Sequence, residues 1–176
     1  MNRGSGSLVR PSLTVAVVSA LLSTGVQACE TGPYFECTFR DGAKTVELCL
    51  NEKTLSYQFG PSNGKPELEL ERDVTVVELA PWPGIGWTIW EEITIRNKGY
   101  AYTIYASIDR TPPASGAGDI VVKRSGGISV KRGDEELAVL TCDPGSVVFP
   151  WSESLLEAKK AAGQCFEKAS GQWGGC

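Results

Sequence analysis

Apolar and polar residues alternate in short runs from Tyr34 to Cys142, and the runs are rich in Val, Ile, Thr, Tyr and Trp. Gly, Pro, Asn and Asp stand between them. Alternation of this kind marks half-buried antiparallel strands, because successive side chains of a strand point to opposite faces. The longest case is residues 87–96 followed by 100–108. Trp87, Ile89, Ile93 and Ile95 share one side, and Thr88, Trp90, Glu92, Thr94 and Arg96 share the other. Tyr100, Tyr102, Ile104, Ala106 and Ile108 form the inward set of the returning strand. This hairpin, turned at Asn97-Lys98-Gly99, is expected at the centre of the sheet. Further turns are predicted at Asp41-Gly42, between runs 34–40 and 44–50, at Pro61-Ser62-Asn63-Gly64, at Ser125-Gly126-Gly127 and at Arg132-Gly133-Asp134. Residues 81–86 must loop because two prolines remove ladder donors, and 109–118 reads as an exposed connection.

The pattern becomes helical only near Ser152. Leu155, Ala158, Ala162, Cys165 and Phe166 fall on one side at helical spacing, and Ser154 with Glu157 reads as a capping box. A helix is predicted over 150–167, then a tail, 168–176, that frays unless Cys176 is bridged. The fold class is therefore mainly β, an antiparallel β-barrel or sandwich of about eight to ten strands with one C-terminal helix. No internal repeat is present.

Residues 1–28 read as an export signal. Arg3 and Arg10 supply the positive end, 13–22 is nearly all apolar, and Val26-Gln27-Ala28 fits a small-residue processing site. No apolar run of about 18 residues follows, so no spanning helix is predicted. Residues 29–176 then form one domain, able to bury roughly two-thirds of the surface its unfolded chain exposes. Losing Arg3 and Arg10 takes the formal charge from -4 to -6, which disfavours a nucleic-acid partner. The basic cluster Lys123-Arg124 with Lys131-Arg132 sits near Asp119, Asp134, Glu135 and Glu136. Export also places Cys29, Cys37, Cys49, Cys142, Cys165 and Cys176 where thiols oxidise. Cys142 ends the last strand and Cys165 lies on the predicted helix, so a bridge between them would pin helix to sheet. Cys37 with Cys49 is the second expected bridge, on condition that a three-residue loop follows Arg40. A two-residue turn would set the pair on opposite faces. Val26-Gln27-Ala28-Cys29 also resembles a lipobox, in which Cys29 would carry a lipid anchor; ordinary processing into the periplasm or medium is the reading preferred.

The chain has no histidine, which removes the commonest general base and the most frequent metal ligand. No two cysteines stand at C-x-x-C spacing, so no metal or cofactor is expected. Catalysis would have to run on carboxylates, lysine or tyrosine. Glu67-Leu68-Glu69-Leu70-Glu71 is the strongest charge pattern, since in a strand its three carboxylates project from one face about 7 Å apart. Glu67, Glu69 and Glu71 offer a negative stripe to a basic partner, or an acid and base for glycoside cleavage, or simply a solvated edge. Trp82, at a loop tip, and Trp90, on a polar strand face, are the aromatic candidates for binding. Glu91 and Glu92, adjacent in a strand, point opposite ways and cannot act together.

Cys37 with Glu47-Leu48-Cys49, the run 55–60, the run 65–70, Gly127-Ile128-Ser129-Val130 and the run 137–142 together resemble a family of small exported bacterial proteins of unassigned function. In general plan the chain is also similar to the periplasmic lysozyme inhibitors, small disulfide-stapled β-barrels that push a loop into the lysozyme cleft. Ser125-Gly126 matches the inhibitors' Ser-Gly loop, whereas Ser129 stands where a tyrosine is expected. What the resemblance implies is a non-enzymatic envelope binding protein that engages a basic protein, and no catalytic residue carries over. The alternatives are a carboxylate-based glycan hydrolase and a structural envelope component.

Overall fold

A computed structural model describes Met1, Cys29, residues 32–113, Gly116 and residues 118–176. The rest of the predicted leader lies outside the described residues. The first sheet contains β1 (Phe35–Phe39), β2 (Lys44–Asn51), β3 (Thr54–Pro61) and β4 (Leu68–Asp73), in the order β1-β2-β3-β4. A 3-10 turn, Val74–Val76, leads into the second sheet. This holds β5 (Glu78–Ala80), β6 (Thr88–Asn97), β7 (Tyr100–Thr111), β8 (Val121–Arg132) and β9 (Glu135–Thr141), again in chain order. Helix α1 (Ser154–Ala161) and a hairpin of β10 (Gln164–Glu167) and β11 (Gln172–Gly175) complete the chain. All pairings are antiparallel. Among the described residues there are eleven strands, nine in the two large sheets and two in the C-terminal hairpin.

Both large sheets are open, and their inner faces share one core, so the architecture is a sandwich and not a barrel. Phe35, Cys37, Val46, Leu48, Leu55 and Tyr57 line the first sheet, and Ile89, Ile93, Ile95, Ile104, Ala106 and Ile128 line the second. Tyr57 meets Tyr102 across the gap with ring centres 5.9 Å apart. The long hairpin is central as expected, with β7 in the middle of its sheet.

Trp87, assigned inward, is 61% exposed, because β6 begins at Thr88 and the core ends before it. Glu91 instead occupies an inward position between Ile89 and Ile93. The turn expected at Ser125-Gly126-Gly127 is also absent: these residues lie within β8. Glycine is needed at Gly126 because a Cβ there would stand 2.9 Å from the Phe35 ring. A close inter-sheet contact, not a reversal, explains that signal.

The helix is shorter than 150–167. Gly163 takes φ +83° just past its end, a backbone state that closes helices, and Cys165 and Phe166 fall in β10. The span 168–176 accordingly forms the turn and second strand of a hairpin. Ser154 makes no capping bond to the backbone. The buried positions are Leu155 and Lys159, at i,i+4. Lys159 is wholly buried, and its Nζ donates to the carbonyls of Val74 and Val77 at 2.7 Å each. The Trp173 ring centre lies 4.6 Å from Nζ. Burial pushes this lysine down to about 8, while Asp73 and Glu78 pull it back up. Lys159 thus bolts α1 to the 3-10 turn.

The disulfides are Cys29–Cys49, Cys37–Cys142 and Cys165–Cys176. Both expected bridges are corrected. The β1–β2 loop has four residues and pairs Phe39 with Lys44, which sets Cys37 opposite Val46 on the core face and Cys49 on the outer face. Cys37 therefore reaches Cys142, tying the two sheets together. Cys165 lies on the hairpin and bonds to Cys176, one residue past the end of β11. A bridged Cys29 sulfur cannot also form a thioether to lipid. Three disulfides mark a chain that matures in an oxidising compartment. Among the described residues no helix is long and apolar enough to cross a membrane.

Candidate functional site

Alternation in β1 and β2 buries Phe35, Cys37, Val46 and Leu48, and so turns Glu36 and Glu47 to the outer face of the first sheet. The register then aligns Glu36, Glu47, Gln58 and Glu69 in one row across four strands. Adjacent members stand about 5 Å apart along the ladder. Beside this row is a hollow of about 250 Å³, lined among others by Glu36, Thr45, Glu47, Gln58, Gly60 and Pro66. Glycine is required at position 60 because the backbone of Pro66 and Glu67 passes against it: a Cβ there would meet the Glu67 backbone nitrogen at 2.7 Å.

Burial raises the Glu47 carboxyl above its ordinary value, and the negative charge of Glu36 raises it further, against a backbone N–H from Cys29. Neither carboxylate has a cationic partner among the described residues. The hollow thus presents two mutually repelling carboxylates, an arrangement relieved by an incoming cation. A guanidinium could bridge both; an ammonium would neutralise one or share both. The Cys29 sulfur lies 3.3 Å from Glu47 Oε1, but the Cys29–Cys49 bond engages both sulfurs, leaving one carboxylate as a ligand in that corner.

Of the predicted stripe, Glu69 joins the row opposite Gln58, and Glu71 lies outward opposite Ser56. Glu67 is drawn away to Lys44, at 2.7 Å. β4 is an edge strand, as its charges suggested. The aromatic candidates part company. Trp82 is half-buried, donates Nε1–H to the Ile85 carbonyl at 3.0 Å, and packs edge-on against Trp151. Trp90 lies on the outer face of the second sheet, in a row with Ser107 and Ser125. Ser125 therefore joins Trp90, while Gly126 faces the core.

Sequence reading set Glu91 beside Glu92 but did not place it in the core, where it lies. Its side chain is buried, and Tyr34 Oη donates to Glu91 Oε2 at 2.5 Å. Burial pushes this carboxyl up to about 7, the Tyr34 hydrogen bond opposes the rise, and Glu153 adds to it. Burial likewise raises the Tyr34 hydroxyl, and the Glu91 charge raises it further. Parity with Ile89 and Ile93 was the available signal for Glu91; for Glu36 and Glu47 it was the hairpin register. Searches of protein-family models, curated proteins and solved structures find no match to this chain.

Proposed function

We propose that this chain is a non-enzymatic binding protein of the bacterial envelope, exported to the periplasm or the medium, whose acidic hollow receives a basic side chain of a protein partner. The observation that carries this reading is the unpartnered pair Glu36 and Glu47 on neighbouring strands beside an open hollow. Glu69 extends the negative field along the same row. Charge of this kind steers a basic protein and sets its orientation, while one desolvated contact in the hollow supplies much of the affinity. A lysozyme, as a small basic protein, fits the required chemistry. In this respect the module is lysozyme-inhibitor-like, although the contact runs through a sheet face and not through a Ser-Gly loop.

The test is retention of envelope proteins by the oxidised domain, immobilised as wild type and as Glu36→Gln/Glu47→Gln. A basic protein held at low salt, released at high salt and absent from the variant supports the reading. Equal retention by both, or retention insensitive to salt, rejects it.

A further inference from the structure

Strand β8 is longer than its neighbour β9. Their pairing stops at Gly127 opposite Thr141, followed by a single bond from the Cys142 amide to the Gly126 carbonyl. Beyond it the chain leaves the second sheet. Cys142 is tied to Cys37, the Asp143 amide donates to the Thr38 carbonyl, and Val148 bridges Glu36 at the edge of the first sheet. β8 meanwhile continues to Val121 along β7. Its outer edge from Val121 to Ser125 is consequently open.

Two bonds fix which backbone groups point into that opening. The Arg110 amide donates to the Trp87 carbonyl, so Arg110 faces β6, and its cross-strand mate Val122 must face away from β7. The Gly126 carbonyl, bonded to Cys142, gives the same parity. Val122 and Arg124 thus direct their N–H and C=O groups outward, and among the described residues none of the four has a backbone partner. A groove of about 630 Å³ runs along them, walled by Val121, Val122 and Arg124 on one side and by Asp143, Gly145 and Val147 on the other. Val121 and Val122 are 67% and 51% exposed.

The chemistry of the occupant is written in β8 itself. The strand carries two Lys-Arg pairs. The second, Lys131-Arg132, is answered across the ladder by Glu136 and Glu135 of β9. The first, Lys123-Arg124, has no acidic strand beside it and forms no ion pair among the described residues, and the Arg124 Nε–H donates to the neutral Phe149 carbonyl at 3.3 Å, which leaves its charge uncompensated. Asp143, the acidic residue in the groove wall, is occupied by Thr38 and the amides of Asp41 and Gly42.

We propose that this edge is a second binding site, distinct from the acidic hollow, which takes an extended segment of a partner protein as an added antiparallel strand. The segment reads acidic, acidic, apolar, apolar opposite Arg124, Lys123, Val122 and Val121. Main-chain bonds to Val122 and Arg124 supply affinity, and the charges supply register. A symmetric pairing of two copies centred on Lys123 or on Arg124 would set that charge against itself, whereas an acidic segment meets both residues with opposite charge.

The probe is a capped Thr-Glu-Glu-Val-Val-Thr peptide, added to the oxidised protein and followed by amide hydrogen exchange. Exchange at Val122 and Arg124 should slow by about tenfold or more in excess peptide. Thr-Lys-Lys-Val-Val-Thr should leave it unchanged. Val122→Pro removes an outward donor that β7 does not use, so it should abolish the effect without lowering Tm. Glu36→Gln/Glu47→Gln should bind the peptide as wild type does, which separates this site from the hollow. The proposal is overturned if both amides are already protected in the free protein, if millimolar acidic peptide leaves them unchanged, or if the protection arises from self-association independent of peptide.

Discussion

Replacing Glu91 with Gln should remove a pH dependence of stability that this one carboxyl imposes. In the unfolded chain it titrates near 4.5, and in the fold, buried under Tyr34, near 7. Between those values the native protein holds a proton that the unfolded chain has released. Stability from this group is therefore full below about pH 4.5 and declines as pH rises to about 7. At about 1.4 kcal/mol per pH unit the interval amounts to about 3 kcal/mol. Glutamine is neutral at every pH, nearly isosteric, and keeps an oxygen to accept the Tyr34 hydrogen bond. Urea unfolding of the oxidised wild type and Glu91→Gln, at steps from pH 4.5 to 8, measures the difference directly. The variant should lie within about 1 kcal/mol of wild type at the acid end and gain on it by about 3 kcal/mol by pH 8. Glu47, also raised by burial, is common to both proteins and cancels. A stability difference that stays flat with pH, or turns against the variant as pH rises, would refute the assignment of a proton to buried Glu91.

Two further substitutions test the bracing. Cys37→Ala/Cys142→Ala opens a bridge of sequence separation 105 and should lose about 4.7 kcal/mol of stability on the chain-entropy scale, read as a shifted urea midpoint. Lys159→Met leaves the Val74 and Val77 carbonyls without their donor and should lose about 2–4 kcal/mol, with earlier exchange of the amides around the 3-10 turn.

Strand alternation carried most of this fold in readable form. The long central hairpin, the acidic edge strand and the turns at Asp41-Gly42 and Asn97-Lys98-Gly99 follow from local pattern, and local pattern decided them. The failures are places where a distant contact overrode it. Gly126 reads as a turn because glycine is the common turn residue; the Phe35 ring that requires it is far away in sequence. The disulfide partners depended on a loop length, four residues instead of three, that Asp143 helps to set by accepting bonds from Asp41 and Gly42. There, burial tends to raise the Asp143 carboxyl, but the N–H groups of Gly42, Asp41 and Arg40 and the Thr38 hydroxyl hold it below the usual carboxylate range. Lys159 is missing from the helix face read from the sequence, because what buries it is two carbonyl acceptors on a distant element. For the site, the stripe 67–71 drew attention by its density, yet the row we propose as the binding site runs across strands. Glu36 and Glu47 come together only through a register that crosses a hairpin.

The most direct measurement is a calorimetric titration of the oxidised domain with a basic lysozyme, wild type against Glu36→Gln/Glu47→Gln, at about 50 mM and about 500 mM salt. The expected result is micromolar or tighter association at low salt, weakened at high salt, and at least about tenfold weaker in the variant. Association of equal strength in both proteins, or none at micromolar concentration with a lysozyme of any class, would contradict the proposal that the acidic hollow binds a lysozyme.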